Sequence, residues 1–533
     1  MQIFVAQINP TIGAFEENVR LILENIKQAK QISSDLIVFP EMAISGYMPQ
    51  DLLFDKDFVR NMETALQSIV EASSGICAII GLVRRSQGSG GKPLKNSAAI
   101  IADGKLVGYQ DKSLLPTYDV FDERRYFEPA KEISLWTIKG KKVAVTICED
   151  IWFGESEEHL YPKDPLCALE NVAVDLHVNI SASPYSYGKI QRRKSLAIDV
   201  AKRFNAPLLL VNQVGGHDGL IFDGSSFLVS KEGKLVFEAP SFTTYSALVT
   251  TRSEEERSYG DEVFSALSLG LKDYFVKQGF KKACIGLSGG IDSSVVAAIM
   301  VEALGIDSVL GILMPSHYTS QESVEDAMLL AKNLGIKTKE LSIVPVFASL
   351  VETLGIGAEP SVVTENLQSR IRGILLMATA NEEGSLLVNT GNKSELSCGY
   401  TTLYGDSCGS VAVLGDLLKW QVYEVGRWIN REKEVIPQRV FTKAPTAELR
   451  PGQKDSDTLP EYEILDKIVE EYIVYHSNAR SICQKYGFDV GLVEAVLRKI
   501  HQNEYKRRQM PFALRVSEKA FSAGRVVPIV HKI

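Results

Sequence analysis

The sequence predicts an α/β protein built from two successive domains. The first is a layered α/β sandwich, and the second is a doubly wound domain around a parallel sheet. Three observations carry this. The chain has 533 residues, more than one domain of roughly 100–200 residues holds. Its first half mixes apolar strand-like runs with helices and hairpins. Its second half repeats strand, helix, strand, helix.

The elements follow in order. IFVAQI at 3–8 reads as a strand, 14–30 carries helical spacing, and DLIVFPE at 35–41 is a buried strand. GICAIIGLV at 75–83 is a further strand, and 98–109 is a hairpin around Asp103-Gly104, the residue pair a tight two-residue turn favours. Strands follow at 141–149, 175–181 and 207–213, then a second hairpin at 226–238. SQGSGGK at 86–92 is a short flexible loop. The polar stretch TTRSEEERSYG at 250–260 marks the boundary. It sets a first domain over 1–250, a linker over 251–261 and a second domain over 262–533. Beyond it come a helix at 261–278, a strand at 282–288, an apolar helix, a strand at 309–316, a helix at 321–334 and a strand at 338–344.

Composition narrows the function. Hydrophobic residues are 45% and charged residues 23%, ordinary globular usage that excludes a mainly disordered chain. With 58 Lys+Arg against 66 Asp+Glu the net charge is −8, which argues against a nucleic-acid partner. The 7 cysteines include no CxxC pair, so neither a disulfide framework nor a zinc site of that type is expected. No apolar run approaches the ~18 residues that cross a bilayer, and MQIFVAQINP at the start has neither a basic stretch nor an extended apolar core, so no signal peptide is expected. The expected location is the cytoplasm.

Chemistry enters first at Leu287, Ser288, Gly289, Gly290, Ile291, Asp292, Ser293 and Ser294. The run follows a strand and opens an apolar helix. Two glycines let the backbone turn tightly, so that N–H groups at a helix N-terminus face an anion. The three serines add hydroxyl donors, and Asp292 is suited to a phosphate-bridging metal ion. Without that context a Gly/Ser turn would merely cap a helix. Neither a Walker loop nor a GxGxxG fingerprint is present. The loop resembles the pyrophosphate loop of the N-type ATP pyrophosphatases, which cleave ATP to AMP and diphosphate.

Four further segments sharpen that resemblance: LLVNTGNKSE (386–395), SVAVLGDLLKWQVYEV (410–425), KAPTAELRPGQKDSD (443–457) and NEYKRRQMP (503–511). In this order, over about residues 262–515, they resemble the NAD synthetases. The resemblance implies that Thr390 and Lys419 join the loop in contacting ATP. It implies Mg²⁺ at Asp292 and Glu395, and deamido-NAD contacts from Asn366, Arg370, Glu395 and Lys506. It also implies a homodimer through this domain, within a larger assembly in some members. One departure stands out: CGYTTLYGDSCGS (398–410) carries Leu403 where ammonia-using members carry Lys.

In the first half Glu41 follows a buried strand in FPEMAISGY, Lys112 lies in DKSLLPTYDVFDERRYFEP, and Cys148 ends the apolar strand of VAVTICEDIW. Strand ends are where α/β folds expose reactive groups. A cysteine nucleophile, a carboxylate base and a lysine at the oxyanion suit amide cleavage. Taken singly, Cys148 reads as a small core residue, Glu41 as a helix cap and Lys112 as a solvated charge. In combination and order they resemble the Glu-Lys-Cys set of the nitrilase superfamily, over about residues 1–250. That resemblance implies an αββα sandwich and C–N hydrolysis through a thioester. The glutaminase branch of that superfamily implies glutamine binding at Tyr118, Ser183 and Lys189, the last two from Ser183-Pro184-Tyr185 and Gly188-Lys189. Jointly the two resemblances imply ATP-dependent amidation of deamido-NAD⁺ with ammonia drawn from L-glutamine.

Overall fold

A computed structural model describes every residue except 87–89, 156–159, 253–255 and 533. Part of the SQGSGGK loop and part of the polar linker therefore lie outside the described residues. The chain divides into two units, Met1–Glu256 and Arg257–Ile533.

Alternation along the strands builds the first unit. One six-stranded sheet runs Tyr245–Leu248, Ile3–Gln7, Leu36–Val38, Cys77–Arg85, Leu94–Ala102, Lys105–Asp111. The other runs Leu235–Glu238, Phe227–Val229, Leu208–Asn212, Leu176–Ser181, Lys141–Ile147, Leu135–Ile138. Val143, Val145 and Ile147 point into a core shared with Val5, Val38, Ile79 and Ile100 of the first sheet. Between them Ala144 points outward, where it meets Ala197, Val200 and Ala201 of the helix Lys189–Phe204. On the opposite side the helices Phe15–Gln31 and Lys56–Ala72 bury Ile22, Ile26, Met62 and Ile69 against the first sheet. Helix, sheet, sheet, helix is the αββα order. The Asp103-Gly104 turn has φ of 50° and 72°, as a two-residue hairpin requires.

Three features were not legible as strands: Leu135–Ile138, Tyr245–Leu248, and the hairpin Val214–His217 with Leu220–Asp223. Gly215 and Gly216 break the apolar pattern of that hairpin, and Tyr245–Leu248 is only half-buried at an edge.

The second unit holds a five-stranded sheet in the order Lys337–Glu340, Val309–Leu313, Ala283–Gly286, Leu386–Asn389, Val411–Ala412, all neighbours parallel. Chain order reverses between Ala283–Gly286 and Leu386–Asn389. In doubly wound sheets that switch point opens the ligand crevice. A separate apolar cluster joins the helices Tyr462–Ile473, Ala479–Tyr486 and Val490–Gln502. No described helix is long and apolar enough to cross a membrane.

Candidate active sites

In the first unit the C-terminal ends of three parallel strands converge. Lys141–Ile147 delivers Cys148, which opens a short 3-10 turn with φ of 44°. Leu176–Ser181 delivers Ala182, whose N–H donates to Glu41 Oε2 at 2.9 Å. Leu208–Asn212 ends in Asn212, whose Oδ1 accepts the Ser183 N–H at 2.9 Å. Lys112 Nζ lies 2.9 Å from Glu41 Oε1 and 2.8 Å from Glu123 Oε1, and all three side chains are fully buried. Asn96 donates to Glu41 Oε1 at 2.6 Å, and Tyr47 donates to Glu123 Oε1 at 2.9 Å.

Two carboxylates share one buried cation, and the electrostatics follow. Burial pushes the Glu123 carboxyl up to about 7, with Lys112 pulling down and Glu41 adding to the rise. Burial alone would lower the Lys112 ammonium, but Glu123 and Glu41 hold it well above its ordinary value. Burial, reinforced by Glu41 and opposed by Lys112, pushes the Cys148 thiol well up. The resting group is therefore a thiol, and attack requires a base.

Beside Cys148, Glu149 accepts from both Tyr118 and Tyr161 at 2.8 Å. Tyr118 packs edge-on to Phe121, and the Lys189 ammonium lies 6.0 Å from the Phe121 ring and 5.8 Å from the Trp152 ring. Tyr118, Ser183 and Lys189 thus border the same end of the sheet as Cys148. Glu123, Asn96 and Glu149 escaped the sequence reading. Glu123 sits in the charged run 122–125, which reads as solvated surface.

In the second unit the switch point holds a 310 Å³ cavity lined by Leu287, Ser288, Gly289, Gly290, Ile291, Asp292 and Ser293, with Thr390, Glu395 and Lys419. Gly289 has φ of 76°, and a Cβ there would meet the Ser323 carbonyl oxygen at 2.2 Å. Glycine is required twice over. Ser294 turns inward, its hydroxyl donating to the Gly290 carbonyl at 2.8 Å. The strand Leu386–Asn389 leads into the helix Lys393–Cys398, where Asn392 and Glu395 form a capping box. The N-x-x-E spacing was the available signal for Asn392. Lys419, at the start of the helix Lys419–Ile429, lies 2.5 Å from Asp292 and 3.5 Å from Glu395. Burial pushes the Glu395 carboxyl up to about 8, Lys419 opposing and Asp292 reinforcing.

Asn366, Arg370 and Lys506 gather around the loop that holds Leu403, outside the residues lining that cavity. Asn366 accepts from Thr402 at 2.7 Å, Arg370 donates to the Leu403 carbonyl at 3.2 Å, and Lys506 donates to the Gly399 and Thr401 carbonyls at 2.7 and 2.8 Å. The Leu403 position is thus held through its backbone.

A carbon-nitrogen hydrolase model matches residues 3–259, and an NAD synthase model matches residues 263–510. An amide-cleaving unit followed by a nucleotide-dependent synthase unit defines a two-domain amidotransferase. The glutamine-dependent NAD(+) synthetase of Synechocystis sp. is 46% identical, over 99% of this chain and 98% of that protein. The Thermotoga maritima protein of the same name is 41% identical, over 100% and 99%. A solved glutamine-dependent NAD+ synthetase from Acinetobacter baumannii, in complex with ADP, superposes with a TM-score of 0.78 at 37% identity, covering 99% of this chain and 98% of that one. The chain belongs to the glutamine-dependent NAD(+) synthetase family.

Proposed function

We propose that this chain converts deamido-NAD⁺ to NAD⁺, the last step of NAD biosynthesis, consuming ATP and L-glutamine and releasing AMP, diphosphate and L-glutamate. The observation that carries this reading is one chain holding both a buried Glu-Lys set beside a cysteine turn and a glycine-serine loop at the switch point of a parallel sheet.

Glutamine is held by Tyr118, Ser183 and Lys189. The Cys148 sulfur attacks its side-chain amide carbon while Glu41 takes the thiol proton. Lys112, kept cationic by its two glutamates, stabilises the oxyanion. The C–N bond breaks, ammonia leaves, and a γ-glutamyl thioester remains. Glu41 then deprotonates the water that releases glutamate.

A free carboxylate is a poor electrophile. The nicotinate carboxylate of deamido-NAD⁺ therefore attacks the α-phosphorus of ATP, and diphosphate leaves into the glycine-serine loop Ser288–Ser293 that lines the cavity. Ammonia adds to the acyl adenylate and AMP leaves. Thr390 and Lys419 hold ATP; Asn366, Arg370, Glu395 and Lys506 hold the dinucleotide. Mg²⁺ fits this donor set, because Asp292 and Glu395 offer hard carboxylate oxygens beside the phosphate loop, and magnesium is held by one or two carboxylates plus phosphates. When bound, it neutralises phosphate charge.

The homodimer forms through the second unit, where the helix Val362–Glu383 leaves Val362, Val363, Ile374 and Met377 exposed. Light scattering that finds only monomer contradicts this. All seven cysteines are free thiols, which suits the cytoplasm.

The test is isotopic. Deamido-NAD⁺ carrying a heavy oxygen isotope in its carboxylate delivers one heavy oxygen to AMP if the adenylate forms. Unlabelled AMP contradicts the mechanism.

A further inference from the structure

We propose that Asp150 is a positioning residue for glutamine hydrolysis, locking the Cys148 turn in register with the loop that carries Lys112. The proposal rests on the assignment of Cys148 and Lys112 above.

The Asp150 carboxylate is fully buried and accepts three backbone N–H bonds. Oδ2 takes the N–H of Ile147, the residue before the nucleophile, at 2.9 Å. Oδ1 takes those of Ser113 and Leu114, the two residues after Lys112, at 2.8 Å each. Each oxygen therefore serves a different loop. The first bond alone would be an ordinary cap on the short turn Cys148–Ile151. The second oxygen has no part in that turn and reaches 36 residues back along the chain.

The join matters because neither partner is fixed by its own backbone preference. Cys148 has φ of 44°, a left-handed conformation that a side chain with a Cβ disfavours. Lys112 is pulled toward two glutamates. Asp150 sets the distance between sulfur and ammonium through the backbone it holds on both sides. Burial pushes its carboxyl up to about 6 against the pull of the three N–H groups, so at neutral pH it remains an anion that accepts all three.

Asparagine would turn an NH₂ toward one loop or the other and keep a single acceptor. Glutamate would be one methylene too long.

The full-length chain is assayed for glutamate release with deamido-NAD⁺ and Mg-ATP present, as D150N, D150A, C148A and the unsubstituted protein. Each rate is referred to the folded fraction from circular dichroism. Expected is a fall in kcat of about 100-fold for D150A, the size of effect that an ångström of misplacement produces. D150N falls less, and KM for glutamine changes by less than about twofold in both. If D150A does not fold, D150N alone carries the test. A kcat per folded molecule equal to that of the unsubstituted chain overturns the proposal. So does a rise in KM that accounts for the loss. Glutamine turnover surviving in C148A overturns instead the underlying assignment of the nucleophile.

Discussion

Asn392 donates its side-chain N–H to Asp292 Oδ1 at 2.8 Å, across 100 residues of chain. The bond ties together the two loops that flank the switch point. Asn392 also caps its own helix, accepting the Glu395 N–H at 3.0 Å. One buried amide thereby sets both carboxylates around Lys419. Asn392→Ala costs about 1 kcal/mol of local stability as a lost cap. It slows NAD⁺ formation whether ammonia or glutamine supplies the nitrogen. Slowing with glutamine alone, in paired initial-rate assays, would show that Asn392 does not serve the synthetase site.

Cys148→Ala removes the sulfur but leaves the buried Glu41–Lys112 pair intact. Glutamine-dependent synthesis is lost, and synthesis from ammonium salts persists. Loss of both contradicts the division of labour between the units.

Gly289→Ala places a Cβ against the Ser323 carbonyl at a positive φ. The left-handed conformation costs about 1–2 kcal/mol, and overpacking costs about 1–3 kcal/mol more. ATP affinity falls by about 10-fold or more, each tenfold being ~1.4 kcal/mol. Calorimetry that returns unchanged affinity rules out the loop as the phosphate cradle.

His177 is buried in the sheet of the first unit, its ring 5.0 Å from Phe204. Burial pushes its imidazole down to about 4 from 6.5. Between these values the unfolded chain binds a proton that the folded chain refuses, so stability falls as pH falls through that window. The loss reaches about 3 kcal/mol by pH 4, at 1.36 kcal/mol per unit. His177→Phe flattens the decline relative to the unsubstituted chain. Parallel pH profiles in denaturant melts contradict the assignment.

Strong periodicity made much of the fold legible. Val143, Val145 and Ile147 alternate with polar or small neighbours, and the strand was readable from that alone. The Gly-rich hairpin at Val214–His217 carries no such signal, because its burial comes from packing rather than from apolar side chains. The loops bearing Glu41, Lys112, Cys148 and Ser288–Ser294 stood out through residue type at strand ends. Glu123, Asp150 and Asn392 did not. Each is a polar residue with a partner far along the chain, at separations of 76, 36 and 100 residues, and only the fold brings those partners together.

The central claim is that one chain couples glutamine hydrolysis to adenylation of deamido-NAD⁺. Its most direct test mixes the protein with Mg-ATP, glutamine and deamido-NAD⁺, omits each in turn, and follows AMP, NAD⁺ and glutamate together. The account predicts AMP and NAD⁺ in equal amounts, both requiring deamido-NAD⁺. Glutamate released while ATP stays intact in the complete mixture would contradict it.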